Sequence, residues 1–410
     1  MSLLPTRWRI GRALTVQLAV LAPVLVATVV GLVVLWPTGE VHSTGIVDVA
    51  AEYSTARVTS ATTSRCDGEN EDRLPDGSIP SSVSCTLVTA AVTVDGTPQT
   101  VEVWAPATVR DTDLPPGTAI VLVRYLPTAT EPEVWAWFDF SRTLPLGLLG
   151  AAFAAVVIAV AGVRGFRALV GLALAAVVIA TFMLPALLEG RDALLVGLVG
   201  SSAIMFVVLY LAHGFSQRTT TALLGTFAGL AATAGLGVLA ADAAHLTGIS
   251  TEENYRLAML TGSLDGTALR GLFLAGVALA GLGVLNDVTV TQASAVWELR
   301  EADPGASRRS LYTRGMRIGR DHIASTVYTI AFAYAGAALP VLLLLTVYQR
   351  PILRTLGSGE FAEEIARTLV GSIGLVLAIP LTTAIAALVV TTQPVRRRHA
   401  QHEPGAHGHV

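Results

Sequence analysis

A stripe of polar side chains follows a long apolar run in the C-terminal half of the chain. Asp287 comes directly after LRGLFLAGVALAGLGVLN, whose last residue is Asn286. Residues spaced i, i+4, i+7 and i+11 share one face of a helix, and that face carries Asp287, Thr291, Ser294 and Glu298. Ionisable groups at membrane depth are costly and often belong to ion, proton or substrate pathways. We therefore take Asp287 as the leading candidate, with Asn286, Thr291 and Ser294 as neutral oxygen partners.

A second polar stripe opens the next apolar segment, GRDHIASTVYTIAFAY. Helical spacing puts Asp321, Ser325 and Thr329 on one face, with Tyr328 beside them. A purely structural role is the alternative for Asp321, which could cap a helix N-terminus or pair with a neighbouring arginine, Arg317 or Arg320. The favoured interpretation is a cavity lined by both stripes, each at the cytoplasmic end of its span.

Two further carboxylates lie at the opposite ends of the apolar runs and are secondary candidates. Asp242 closes one run together with His245, and Asp265 precedes another in LTGSLDGTALRG. Both also suit ordinary roles, as an interface residue and as a turn residue before Gly266.

Long apolar segments must position these side chains, because 52% of the 410 residues are hydrophobic and only 14% are charged. About 20 helical residues cross a hydrocarbon core of roughly 30 Å. The sequence predicts a bundle of about eight transmembrane helices, at Ala13–Trp36, Leu144–Val163, Phe166–Leu188, Ala193–Phe215, Thr219–Ala241, Leu269–Leu285, Ile323–Tyr348 and Ile365–Val390. The first is expected to be an uncleaved anchor, since VVLWPTGEV offers no small-residue cleavage site.

Arginine predicts the orientation, because basic residues accumulate in cytoplasmic loops. The chain has no lysine, and its arginines concentrate in the N-terminal segment, the loop after Leu299 and the C-terminal tail. Both termini are therefore expected in the cytoplasm. Residues 393–410 end in RRRHAQHEPGAHGHV, whose Pro and Gly favour a disordered tail over a histidine metal site.

Residues 40–142 differ in composition and predict a separate extracytoplasmic β domain between the first and second spans. LVTAAVTV and TVEVWA flank Asp95-Gly96, a good hairpin turn. Five short strands suit a small OB-type barrel, with an open sandwich as the alternative. Cys66 and Cys85 are the only cysteines, and on the oxidising side of the membrane they predict a disulfide.

Three sequence blocks carry a family resemblance: VLNDVTVTQASAVWEL, GMRIGRDHIASTVYTIAFAYAGAALPVLLLL and EEIARTLVGSIGLVLAIPLTTAIAAL. In order and spacing they resemble the C-terminal core of the YibE/F family, and the similarity extends over about Arg142 to Val390. The resemblance implies a bacterial multi-pass protein of the plasma (inner) membrane. It transfers no catalytic residue, because the family has no established activity.

Other chemistry is not indicated. No phosphate-binding G-x-x-x-x-G-K, H-E-x-x-H, C-x-x-C or G-x-S-x-G motif occurs, so we expect no enzyme activity, cofactor or metal site. The β domain holds 15 Asp and Glu against six Arg, which argues against nucleic acid as a partner. The predicted partners are the lipid bilayer and a small ion or solute, which makes the chain a secondary transporter or permease. The alternative is a non-transporting envelope sensor or scaffold whose β domain binds a protein partner or ligand.

Overall fold

The structure is a computed structural model that describes residues 12–39, 51–68, 70–74, 76–127, 132–248, 252–261, 266–348 and 351–392. The chain divides into two compact units, residues 44–157 and residues 1–43 with 158–410. The first unit contains a sheet and the second a bundle of helices. Asp265 and the C-terminal tail lie outside the described residues.

A single antiparallel sheet of five strands forms the smaller unit, in the order β3-β2-β1-β4-β5. The strands are β1 (Ala51–Cys66), β2 (Val83–Val94), β3 (Thr97–Ala105), β4 (Ala119–Tyr125) and β5 (Val134–Phe140). The long β1 pairs with β2 along its second part and with β4 along its first. The β2–β3 hairpin turns at Asp95 and Gly96, whose φ values of 50° and 80° are those of a tight hairpin turn.

The sheet is not closed, so the predicted OB-type barrel is not confirmed. Among the described residues no ladder of hydrogen bonds joins the edge strands β3 and β5, although the two strands contact each other. One face of the sheet covers a core in which Val58, Val88, Ile120 and Leu122 are almost completely buried. Alternating burial along β2 follows from the two-residue period of a strand with one covered face.

The two cysteines lie at disulfide-bonding distance, as the sequence predicted. Cys66 ends β1 and Cys85 lies in β2, where it pairs with Ser64 in the β1–β2 ladder. Their Cα atoms are 5.8 Å apart, a normal separation for a disulfide. The bridge therefore links the two longest strands at one end of the sheet.

The helices are α1 (Arg12–Val34), α2 (Thr143–Val178), α3 (Leu184–Leu188), α4 (Ala193–His213), α5 (Gln217–Ala243), α6 (Glu252–Thr261), α7 (Gly266–Ala302), α8 (Arg308–Ala337), α9 (Leu339–Tyr348), α10 (Ile352–Leu356) and α11 (Gly359–Thr391). Within the described part of the chain, six helical stretches are long and apolar enough to cross a membrane. These stretches indicate a multi-pass membrane protein. The predicted number of about eight transmembrane helices is not confirmed.

Two departures account for the lower count. The second and third predicted spans are joined in one stretch of 46 residues, Thr143–Leu188, which contains a π-helical turn at Ile179–Met183. Its backbone is non-helical at Gly162, with φ 59° and ψ −137°, close to the predicted break between those spans. The seventh predicted span is divided between α8 and α9, and the arginine-rich first half of α8 lowers the hydropathy of that helix.

Small residues allow α5 and α11 to pack closely at the centre of the bundle, where both also contact α7. The antiparallel pair is matched position by position: Gly225 meets Thr382, Gly229 meets Ala378, and Thr233 meets Gly374. A Cβ atom on Gly374 would lie 1.9 Å from Thr233 Oγ1, and one on Gly225 would lie 2.0 Å from Thr382 Oγ1. Such close approach is the usual basis of helix association in membranes.

Candidate functional site

The polar stripe predicted on α7 lies on the exposed side of the helix. Asp287, Thr291 and Glu298 are exposed, and Ser294 is partly buried. The Ser294 hydroxyl donates to the carbonyl of Val290, one turn earlier in the same helix. The stripe is therefore a continuous face of α7, as the spacing predicted, but most of it lies outside the packed core of the bundle.

Asp287 meets α8 through His322. Its Oδ2 atom lies 3.9 Å from His322 Nε2, and the two side chains are 71% and 29% exposed. His322 Nε2 is itself buried and has no hydrogen-bond partner among the described residues. A carboxylate and an imidazole therefore face each other across the α7–α8 contact, and protonation of the imidazole would make them an ion pair.

The remaining predicted residues of α8 are exposed. Asp321, Ser325 and Tyr328 are all accessible on the described surface, and the Ser325 hydroxyl donates to the carbonyl of His322. Asp321 is not an N-terminal cap, because α8 begins at Arg308, several turns earlier. The side chain that reaches Asp287 belongs to the histidine next to Asp321, which was not among the candidates predicted from the sequence.

Asn286, which the sequence did predict, has an unsatisfied side-chain atom. It is partly buried, and its Oδ1 atom has no hydrogen-bond partner in the part of the chain that the structure describes. A buried polar atom without a partner is uncommon and calls for a physical explanation, such as water or an ion. Two unpaired polar atoms therefore lie near Asp287. One is the Oδ1 acceptor of Asn286, the preceding residue, and the other is Nε2 of His322, which faces Asp287 from α8.

The buried face of α7 carries a polar network that sequence reasoning missed. Thr289 is fully buried, and its hydroxyl oxygen lies 2.7 Å from the hydroxyl oxygen of Thr226 on α5. Gln292 is 2% exposed and donates to the Gly315 carbonyl on α8 and to the Thr383 hydroxyl on α11, at 2.8 and 2.7 Å. The i, i+3 spacing of these two polar residues within the same segment was the available signal.

At the other end of the bundle, the secondary candidate Asp242 forms an ion pair with Arg270 of α7. Its neighbour in the sequence motif, His245, adopts φ 50° after the end of α5. Glu363 is buried near the start of α11 and accepts a hydrogen bond from the Gly248 amide at 2.9 Å. Asp242 therefore has a structural partner, and Asp265 lies outside the described residues.

The described residues contain no group of three or more His, Cys, Asp or Glu that could hold a metal ion. The groups near Asp287 can hold a proton or form hydrogen bonds. Asp287 and His322 supply the titratable atoms, and Asn286 supplies a neutral oxygen.

One comparison with known proteins gives a match. The family model of YibE/F-like proteins covers residues 149–392. The chain belongs to the YibE/F-like family. Neither a curated protein nor a solved structure matches it. The resemblance found in the sequence is thus confirmed.

The extent of the family match separates the two parts of the chain. It includes α7, α8 and α11 in full, together with the Asp287–His322 contact and the Gln292 network. All five strands of the sheet precede the match. The candidate site on α7 and α8 is therefore contained in the segment that defines the family.

Proposed function

We propose that this YibE/F-like protein is a secondary transporter or permease in which Asp287 couples the movement of a solute to a proton or another cation. The observation that carries the proposal is the contact between the Asp287 carboxylate and the His322 imidazole at 3.9 Å. Carboxylate and imidazole groups are those that proteins most often use to take up and release protons. Ionisable residues in membrane-spanning helices commonly serve as proton relays or ion sites.

The chemistry of the pair gives a simple coupling step. When His322 Nε2 takes up a proton, the imidazolium attracts the Asp287 carboxylate and strengthens the α7–α8 contact. When the proton leaves, this attraction is lost, while packing and the hydrogen bond from Gln292 to the Gly315 carbonyl still join the two helices. Proton binding would thus favour one arrangement of α7 and α8, and proton release would favour another.

The proposed orientation puts both termini in the cytoplasm and the protein in the bacterial plasma membrane. It rests on the distribution of arginine and on the bacterial character of the resemblance. About 20 residues of α7 cross the hydrocarbon core. With Ala268 at the outer boundary, Asp287 then lies close to the cytoplasmic boundary, where a carboxylate can reach water.

Flux measurements on protein in liposomes test the proposal. Liposomes containing a pH-sensitive dye would report proton entry driven by a potassium diffusion potential, in the presence of candidate solutes. We expect Asp287→Asn to abolish the protein-dependent proton flux and His322→Gln to reduce it strongly. The matched control is Glu301→Gln, an exposed carboxylate elsewhere on α7, which should behave like the unmodified protein. A folded Asp287→Asn protein with full, equally proton-dependent flux would rule the proposal out.

A second function, an envelope sensor or scaffold, is favoured by exposed aromatic side chains on the sheet. Tyr53 of β1 and Phe138 of β5 are 62% and 56% exposed, and their rings meet edge to face with centroids 4.8 Å apart. Exposed aromatic clusters are common at protein-binding surfaces. We also propose that the sheet is a partly open relative of the OB-type barrel, because β1 pairs with both β2 and β4.

Removing the sheet domain distinguishes the two functions. Loss of partner binding after deletion of residues 40–142, with proton flux unchanged, would favour the sensor or scaffold. Loss of binding in a Tyr53→Ser, Phe138→Ser double variant would assign the partner to the aromatic pair. The control is Trp104→Ser, which removes another exposed aromatic side chain, on β3.

A further inference from the structure

A cavity of about 700 Å³ lies at the end of the bundle opposite Asp287. It is bordered by the α3–α4 connection, the first turns of α7, and single residues of α5 and α6. Arg270 in its wall and Asp287 are 17 positions apart on α7, which corresponds to about 25 Å along a helix. The cavity is therefore a separate site, and its volume is within the usual range for small-molecule pockets.

Most of the wall is apolar. Leu187, Leu194, Val238, Leu257 and Leu272 contribute to it. Such a lining favours a ligand with an apolar body, because transfer of that body out of water is favourable.

Two arginines, Arg191 and Arg270, line the wall together with two carboxylates, Glu189 and Asp192. The two contacts described for the Arg191 side chain both use Nη2, with Glu189 Oε2 and Thr38 Oγ1 at 3.4 Å each. Its Nε atom is buried and has no hydrogen-bond partner among the described residues. An arginine has five N–H donors and no acceptor, so this wall offers donors that a ligand can use.

The carboxylates of the same wall are already engaged by backbone donors. Glu189 accepts a hydrogen bond from the Gly39 amide at 2.7 Å, and this bond keeps its pKa below the ordinary value. Asp192 caps α4 by accepting from the Leu195 amide at 2.8 Å. Arg270 uses Nη2 for its ion pair with Asp242, whereas the buried Nε donor of Arg191 has no partner among the described residues.

From this imbalance we infer that the cavity binds an amphipathic anion, with a carboxylate or phosphate group at Arg191 and Arg270 and an apolar body against the leucines. Planar guanidinium groups suit both anions, because they can donate two parallel hydrogen bonds. Such a ligand is either a soluble organic anion or the headgroup of an anionic lipid. The inference concerns binding alone and does not depend on transport through Asp287.

Binding of a defined probe tests the inference on the full chain in nanodiscs of phosphatidylcholine. The probe is a dansyl-labelled medium-chain carboxylate, and its primary amide is the neutral counterpart. Loss of charged hydrogen bonds should raise the Kd of the carboxylate about tenfold in Arg191→Gln and in Arg270→Gln. Arg354→Gln, an exposed arginine of α10 outside the cavity, should leave the Kd unchanged.

An additional variant keeps the test informative if the arginine variants fold poorly. Ala268 lines the cavity and is exposed, so Ala268→Trp should fill the space and prevent probe binding without removing an arginine. Equal Kd values for carboxylate and amide, or an unchanged Kd in the folded Arg191→Gln and Arg270→Gln variants, would overturn the inference.

Competition separates the two sources of the anion. Phosphatidylglycerol added to the nanodisc should displace the probe if a lipid headgroup is the natural ligand. Displacement by unlabelled soluble carboxylate alone, with no effect of phosphatidylglycerol, would identify a soluble anion. Either result supports an anionic amphipath at the two arginines.

Discussion

The two faces of α7 carry polar residues at similar spacing, yet they meet different surroundings. On the exposed face, Asp287 and Glu298 each approach a charged or titratable side chain, His322 and Arg218 respectively, both at 3.9 Å. On the buried face, Thr289 and Gln292 make hydrogen bonds of 2.7 to 2.8 Å to three other helices. Neutral groups can be buried when their hydrogen bonds are made, whereas charged groups cost far more. The buried polar residues therefore link α7 to its neighbours, and the exposed ones remain accessible.

The largest effect on stability is expected at the buried contact between α5 and α11. Gly374→Val should destabilise the bundle by about 3 kcal/mol, because the added atoms overlap Thr233. The control, Gly371→Val, adds the same atoms where nothing lies within 4 Å of the position that its Cβ would take, and it should cost much less. Thermal unfolding of the two variants in detergent measures the difference. Equal midpoints would show that α5 and α11 do not pack in this register.

Gln292→Ala should have the next largest effect, about 2 kcal/mol, because the Gly315 carbonyl and the Thr383 hydroxyl lose a buried donor. Thr291→Ala, one residue earlier on the exposed face, should change stability by less than about 0.5 kcal/mol. Urea or thermal unfolding of both variants checks the prediction. A Thr291 variant as unstable as the Gln292 variant would contradict the assignment of the two faces.

Thr289→Val should lower the free energy of unfolding by about 1 kcal/mol, because it removes the hydrogen bond to Thr226. The Thr226 hydroxyl then keeps the Ala222 carbonyl as its described partner. The double variant with Thr226→Val should be no less stable than Thr289→Val alone, since both polar partners are then gone. A double-mutant cycle on unfolding midpoints measures this coupling. Additive effects would mean that the two hydroxyls do not interact.

The smallest effect is expected for an exposed ion pair of the sheet. Glu133 accepts hydrogen bonds from Arg124 at 3.1 Å, and this arginine holds the pKa of Glu133 below its ordinary value of 4.5. A lowered pKa in the folded state stabilises the domain above pH 4.5, and the contribution disappears as the pH falls through the lowered pKa.

Glu133→Gln should therefore reduce the loss of sheet stability between neutral pH and acid, by a small amount because the pair is exposed to water. Tryptophan fluorescence, with Trp135 adjacent to the pair, can follow unfolding at each pH. Glu102→Gln, an exposed carboxylate of β3, is the control. An acid profile that is the same in all three proteins would exclude the stabilising role of Glu133.

Much of the architecture could be predicted from local sequence. The hairpin at Asp95-Gly96 follows from two residues that tolerate positive φ. The cysteine pair follows because the chain has only two cysteines, both in a segment expected outside the cytoplasm. The number of spans was harder to predict. The polar first half of α8 continues without a break into the apolar segment after His322, so the helix boundary does not coincide with the change in hydropathy.

The candidate site was predicted only in part. Asp287 was found because a carboxylate after an apolar run is conspicuous. His322 was not among the candidates. The spacing of residues along one helix shows which of them share a face, but it does not show which face is turned towards the neighbouring helix. Gln292 and Thr289 were missed for the same reason, since their role depends on Thr226, Gly315 and Thr383, which lie 23 to 91 positions away in the chain.

The sequence by itself determined that this is a chain of long apolar helices with a separate sheet, because transfer of a helix into a membrane depends mainly on its length and composition. It also determined the family, through three blocks of residues in a fixed order. Only the tertiary structure decided which polar atoms are paired and which have no partner among the described residues. Pairing depends on the face that each helix turns towards its neighbours, and packing between distant segments sets that face.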